Sequence, residues 1–368
     1  MKLPGHFAFA TLLSLFAFAQ APPGPLPPKP GAPIQQPPAE EDQRIRVRVE
    51  LVTTPVTVRD AAGELVLSLE QKDFRVFDDG VEQRIEDFDL GGDPLSVVIV
   101  LEASSRVEPL LPAVRKTGIL FTQTVLGQTG EAAILGYDDD VTELLPFTRD
   151  HDKIEKTVAH LRMGTSGARL HDALARAVGL LNNRSKDRRR VIIAVAEAAD
   201  TGSETKLGAV LREAQLNNIT IYSAGLSTTA AMLRSEPRDY NPPSATPPGT
   251  FGRPPIPGTV QTPTTEAQRS GNIDLLAAII LLVQQMSNAV GENSLTLAAA
   301  GTGGRHLGTF KDRSIETAID QIGAELHAQY TLSYRPTGTS DTGFHEINVE
   351  VSRPGLTVRT RPGYYLGK

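Results

Sequence analysis

Leu95 to Arg106 reads LSVVIVLEASSR. The run from Leu95 to Leu101 is dominated by apolar residues and ends at Glu102, followed by two serines. A helix-like stretch, Val107 to Val125, comes next. The order is buried strand, polar loop, helix. In an open α/β sheet such a loop sits at the carboxyl end of a strand, where binding sites form.

Working outward, strand and helix signals alternate through 93–328. Strands are expected at 96–101, 131–137, 141–145, 190–196, 218–224 and 305–308. Helices are expected at 107–125, 150–161, 170–182, 205–216, 273–290 and 312–327. Helical crossovers between strands imply an α/β fold, a doubly wound, mostly parallel six-stranded sheet covered on both faces. Strand 141–145 follows its neighbour through Asp138-Asp139-Asp140, so it is the expected antiparallel edge. Three adjacent acids lack the alternate spacing of an EF-hand calcium loop and read as a solvated turn. Proline density in 235–268 (NPPSATPPGT, RPPIPGT) marks a disordered surface insertion. LLAAIILLV, 275–283, is too short to cross a bilayer and reads as a buried helix.

The two flanks read as strands. In 45–92, RIRVRVEL alternates strictly, Ala61-Ala62-Gly63 is a turn, ELVLSL follows, and Asp78-Asp79-Gly80 marks a hairpin. In 329–368, QYTLSYRP, FHEINVEVSR and LTVRTRPGYY are strand-like. A three-stranded tail alone is marginal. Economy therefore has the two flanks form one small β-sandwich, with the α/β domain inserted into it. Ahead of these lie a signal-peptide-like segment, 1–19, and a proline-rich linker, 20–44. Ala17-Phe18-Ala19 fits a small-x-small cleavage site. Left uncleaved, the segment would be the chain's membrane attachment. Either outcome exports the chain to the periplasm, the cell surface or the medium.

The chain has 368 residues, no cysteine and a net charge of −6. Disulfides, thiol catalysis and cysteine-ligated zinc are excluded. Nucleic acid is not an expected partner. Arg188-Arg189-Arg190 is too short a basic run and reads as a solvated strand edge. The histidines show no HxxxH or HExxH spacing. No GxSxG occurs, and Gly301-Thr302-Gly303-Gly304 lacks the Lys-Ser/Thr of a phosphate loop.

Four stretches carry a family resemblance. They are TVRDAAGELVLSLEQKDFRVFDDGVEQRIEDF, LSVVIVLEASS, the pair RLHDAL and VIIAVAEAADTGSET, and QYTLSYRP with GLTVRTRPGYY. The α/β half resembles a von Willebrand factor A (vWA) domain. The chain from about 45 to 368 resembles a bacterial family of exported vWA-related proteins best known from Acidobacteria. The resemblance implies a metal-ion-dependent adhesion site, in which Asp, two Ser, a Thr and a second Asp hold Mg²⁺ or Mn²⁺. Hard oxygen ligands suit such cations and leave a position open for a partner's acidic group.

On those five positions this chain has Glu102, Ser104, Arg106, Ala168 and Glu197. Guanidinium has no lone pair and cannot be a ligand. Three readings follow. The metal site is lost and partners bind elsewhere; or Arg106 stands in for the cation between Glu102 and Glu197; or Glu102, Ser104, Glu197 and Thr165 make a repurposed site for Mg²⁺ or Mn²⁺. The favoured function is a non-catalytic, exported protein-interaction module with a degenerate adhesion site and no resident cofactor. It would face a protein partner in the envelope or outside the cell. The alternative is a divalent-metal-binding adhesion or sensor domain. A hydrolase using rim residues, with Ser104, His171 and an Asp, is the third.

Overall fold

The computed structural model describes residues 51–226, 293–309, 312–337 and 343–366 of the chain. The signal-like segment, both proline-rich stretches, nearly all of RIRVRVEL and the expected helix 273–290 with LLAAIILLV lie outside the described residues. Among the described residues no helix is long and apolar enough to cross a membrane.

The described chain begins with β1 (Val52–Arg59), β2 (Phe74–Asp78), β3 (Val81–Gln83) and β4 (Ile85–Leu90). Asp79 and Gly80 both have positive φ, 47° and 79°, as a two-residue hairpin between β2 and β3 requires. The expected strand ELVLSL is absent: only Leu65 bridges back to Arg59. The Tyr330 hydroxyl takes the place of a ladder there, donating to Val66 O at 2.9 Å and accepting from Leu69 N at 3.1 Å.

The α/β part then runs through β5 (Leu95–Glu102), α1 (Leu111–Arg115), α2 (Gly118–Leu120), β6 (Glu131–Tyr137), β7 (Val141–Thr148), α3 (His151–Ala159), α4 (Leu170–Asn182), β8 (Arg189–Ala196), α5 (Leu207–Leu216), β9 (Ile219–Leu226), α6 (Ser294–Gly301), β10 (His306–Thr309) and α7 (Asp312–His327). The sheet order is β10-β9-β8-β5-β6-β7, with only the β6–β7 pair antiparallel. This is the doubly wound, mostly parallel six-stranded sheet of a vWA-like α/β fold. Every residue of β5 is buried. Val97, Ile99 and Leu101 face one helical layer, while Val98 and Val100 face the other. Each such aliphatic side chain contributes about 1.5–3 kcal/mol by burial.

Two expectations change here. The single helix over 107–125 is broken into a 3₁₀ turn at Ser105–Leu110, then α1, α2 and a π-type turn at Phe121–Leu126. Pro109 and Pro112 withhold backbone donors, and the Thr117 hydroxyl bonds back to Val114 O at 2.7 Å. Arg188-Arg189-Arg190 is also no solvated edge. Arg188 donates to Ser96 Oγ and Leu95 O at 2.8 and 2.6 Å, Arg189 donates to Leu326 O at 2.7 Å, and Arg190 is buried. The start of β5 holds the Arg188 guanidinium, and the last turn of α7 holds that of Arg189. One helix went unforeseen. α6 is capped by Asn293 Oδ1, which accepts from Leu295 N at 2.8 Å, but it is buried on most sides and shows no amphipathic stripe.

β11 (Tyr330–Tyr334), β12 (Gly343–Val351), β13 (Thr357–Thr360) and β14 (Gly363–Leu366) complete the fold. Strands from both ends share two four-stranded sheets, β13-β1-β11-β4 and β14-β12-β2-β3. Their facing sides form a third core that includes Val56, Val76, Tyr330, Tyr334 and Val349. The α/β domain is therefore an insertion into a β-sandwich. It leaves from β4 and returns to β11, which are antiparallel neighbours, so its two ends emerge side by side. Gly91 (φ 64°) lies there, and a Cβ on it would stand 2.1 Å from His327 O. No other residue fits that crossing.

Buried Glu325, in the last turn of α7, ties the two parts together. It meets Arg59 of β1 at 3.0 Å, Arg305 at 3.8 Å, and Arg359 of β13. Burial alone would raise its carboxyl. Arg359 and hydrogen bonds from Arg59, Arg359 and Tyr222 outweigh that and hold it below the usual carboxylate range.

Candidate functional site

The candidate site lies at the carboxyl ends of β5, β6 and β8. Glu102 is the last residue of β5 and Tyr137 the last of β6, and the parallel register sets them side by side. Glu197 follows the last residue of β8, the other neighbour of β5. Glu102 and Ser104 are fully buried. The Ser104 hydroxyl donates to Glu102 Oε1 at 2.6 Å. The other oxygen, Oε2, accepts from Glu197 N at 2.6 Å and from the Tyr137 hydroxyl at 3.3 Å. Arg106 comes back over the rim to place a guanidinium nitrogen 3.4 Å from Glu197 Oε2, and both side chains are nearly buried.

Burial raises the Glu102 carboxyl to about 7. Hydrogen bonds from Ser104 and Glu197 N oppose the rise, the Glu197 charge adds to it, and Arg106 opposes it. The Tyr137 hydroxyl is pushed well above its ordinary range by its own burial and then by Glu102. It therefore serves as a hydrogen-bond donor.

The structure brings Glu102, Ser104, Arg106 and Glu197 together, and Thr165 adjoins them through its backbone, its carbonyl accepting from Ser105 N at 2.7 Å. Ala168 is buried, with its N–H on Thr201 Oγ1 at 3.0 Å. Thr165 belongs to the Asp138–Asp140 turn: its N–H reaches Asp138 Oδ2 at 2.8 Å, and its hydroxyl accepts from Asp139 N at 3.3 Å. Tyr137 is a site residue outside the five positions of the family pattern. The signal was available, since β5 and β6 are neighbouring apolar strands of similar length, each ending in one polar residue.

These donors do not match a hard divalent cation. Such an ion needs carboxylate and hydroxyl oxygens open to it. Here both Glu102 oxygens already accept hydrogen bonds, and the Ser104 hydroxyl is turned onto Glu102. The positive charge beside Glu197 is a guanidinium.

The triad suggested by Ser104 and His171 is not assembled. His171 lies at the start of α4, with its N–H on Asp200 Oδ1 at 3.0 Å, Nδ1 3.5 Å from Asp200 Oδ2, and Nε2 3.2 Å from Ser294 Oγ. Burial lowers its pKa, partly offset by Asp200 and Asp172. Asp172 accepts from the N–H groups of Glu204 and Thr205 at 3.0 and 2.9 Å, which locks the start of α4 to the loop after β8.

No protein-family model matches the chain. No curated protein matches it either. Among solved structures it is similar to the conserved hypothetical protein BatB from Bacteroides thetaiotaomicron, at 13% identity over 63% of this chain and 98% of that one, with a TM-score of 0.38. It is similar to an aerotolerance-related membrane protein from Bacteroides fragilis at 15% identity over 63% and 98%, TM-score 0.37. For the VWA domain of SpRpn10 the figures are 17% identity over 38% and 78%, TM-score 0.30. At these values the fold rests on the strand order and direction, not on the likenesses.

Proposed function

We propose that this chain is an exported, non-catalytic protein-interaction module whose adhesion-type rim is closed by an Arg106–Glu197 ion pair in place of a divalent cation. The contact at 3.4 Å between two nearly buried side chains carries this reading. Guanidinium is a fixed charge with no lone pair, so it does at the rim what a bound cation would do for Glu197, and it excludes one. The hydrogen bonds around Glu102 complete a closed network. The hydroxyl–carboxylate pair in that network, Ser104 and Glu102, has no exposed surface for a substrate to reach, which supports the non-catalytic reading. The partner is then a protein of the envelope or the exterior, recognised by the loops at the rim.

Thermal unfolding of the full chain, first stripped with a chelator, in Mg²⁺, in Ca²⁺ and without a divalent cation tests the closure. A cation bound only by the folded state raises apparent stability. The expected result is one transition temperature in all three. The triple variant Glu102→Asp, Arg106→Ser, Glu197→Asp is expected to gain a Mg²⁺-dependent rise. A rise of several degrees in the native chain overturns the proposal. Photo-crosslinking in intact cells tests the face. A crosslinker at exposed Met163, beside the rim, is expected to capture a partner, and one at exposed Asn183, at the far end of α4, is not. Equal capture from both positions removes the rim from the interface.

A further inference from the structure

A second cluster lies in the β-sandwich, away from the rim. Along β2 the inward positions are Phe74, Val76 and Asp78, and along β12 they are His345, Ile347 and Val349. β2 and β12 are paired, with Asp78 opposite Ile347. Two ionisable side chains thus stand at core-facing positions where the alternation calls for apolar residues. Each costs desolvation unless something compensates it.

The compensation is incomplete on one atom. Asp78 Oδ2 accepts from the hydroxyls of Tyr364 at 2.8 Å and Tyr334 at 3.0 Å. Asp78 Oδ1 is buried and has no hydrogen-bond partner among the described residues. It points toward His345 Nδ1, 4.0 Å away, beyond hydrogen-bonding distance. Asp79, at the hairpin tip, brings its Oδ2 to 2.8 Å from the same His345 nitrogen. The three ligand-type atoms lie within 4.8 Å of one another.

We propose that His345 Nδ1, Asp78 Oδ1 and Asp79 Oδ2 form a three-ligand site for a zinc-type divalent cation. One imidazole and two carboxylates suit a borderline cation such as Zn²⁺. Ligands on tetrahedral zinc stand about 3.3 Å apart, between the 2.8 and 4.0 Å separations seen here. Two carboxylates balance the charge of a divalent ion. Each ligand is also held from behind, as metal ligands are. Tyr334 and Tyr364 fix Asp78, and the ring of Tyr364 stacks on His345 with centroids 5.2 Å apart. Asp79 Oδ1 accepts from Glu346 N at 2.9 Å. Asp78 and His345 are buried while Asp79 is 43% exposed, so an ion enters from the hairpin side and keeps water on its open face.

The test uses the full chain stripped with a chelator and titrated with Zn²⁺ by calorimetry. Asp79→Asn is the informative variant. Asparagine tolerates the positive φ of the turn and keeps an oxygen for Glu346 N, but it loses the anionic ligand. The expected result is one saturable Zn²⁺ site, weakened about tenfold or more in Asp79→Asn and unchanged in Arg106→Ser. Absence of saturable binding in the native chain, or equal affinity in Asp79→Asn, overturns the proposal. If that variant unfolds, crystals of the native chain soaked in Zn²⁺ decide the matter. An anomalous peak between the three atoms supports the site, and a peak only elsewhere removes it. Because Mg²⁺ and Ca²⁺ probe the rim and Zn²⁺ probes the sandwich, either proposal can fail alone.

Discussion

Glu102 and Glu325 are both carboxylates with almost no exposed surface, and their surroundings drive them in opposite directions. Glu325 closes the junction between sandwich and sheet with three guanidinia around it. Glu102 closes the rim with hydroxyl and amide donors, and the nearby guanidinium pairs with Glu197 instead. Burial pushes both carboxyls up. Only at Glu325 do fixed cations more than reverse the push. Burial therefore does not decide ionisation. The number and placement of fixed charges does.

The largest expected effect comes from breaking the junction. Glu325→Gln leaves Arg59, Arg305 and Arg359 facing one another and is expected to cost about 3–5 kcal/mol in urea unfolding. A loss below about 1 kcal/mol would show that the guanidinia are adequately hydrated and that Glu325 is dispensable. Its pH dependence has a definite sign. Glu325 is held below its ordinary range, so its stabilisation is present above the unfolded-state midpoint and is lost as pH falls through the folded one.

Glu102 has the opposite sign. Its folded midpoint is raised from 4.5 to about 7. The folded state therefore holds an extra proton between those values, and stability falls as pH rises through that window. The full displacement corresponds to about 3 kcal/mol. Unfolding measured at several pH values should show this slope in the native chain and not in Glu102→Gln. A native chain that is flat over this window would mean that Glu102 ionises freely and that its hydrogen bonds outweigh its burial.

Most of the architecture could be read from the sequence because its cause is local. β5, β6 and β8 are apolar runs bounded by polar loops, and an antiparallel β7 follows from a turn too short for a crossover. The shared sandwich could be reached only by economy, since no short-range pattern tells β1 that β11 and β13 flank it. α6 was hidden for another reason: a helix buried on most sides has no stripe. At the rim, residue-by-residue matching named Glu102, Ser104, Arg106 and Glu197, which the fold sets side by side. It could not say which acid Arg106 would choose, because that depends on side-chain reach across β5 and β8. Asp78 and Asp79 read only as the hairpin turn, and their meeting with His345 depends on the register of two strands about 270 residues apart in the chain.

The smallest effects separate redundancy from dependence. Arg59 is one of three cations at Glu325 and is a quarter exposed, so Arg59→Met should cost about 1 kcal/mol or less. Arg106 is the cation paired with nearly buried Glu197, so Arg106→Met should cost about 2 kcal/mol. The two variants also differ in a way that stability alone does not register. The field of Arg106 lowers the Glu102 midpoint, so removing it should move that midpoint above about 7, whereas Arg59→Met should leave it in place. Carboxyl-resolved NMR titration reads the difference. If both variants left Glu102 where it is, the rim guanidinium would be a packing element with no electrostatic hold on the site. If Arg106→Met moved it upward, Arg106 would be the charge that keeps two adjacent buried acids compatible.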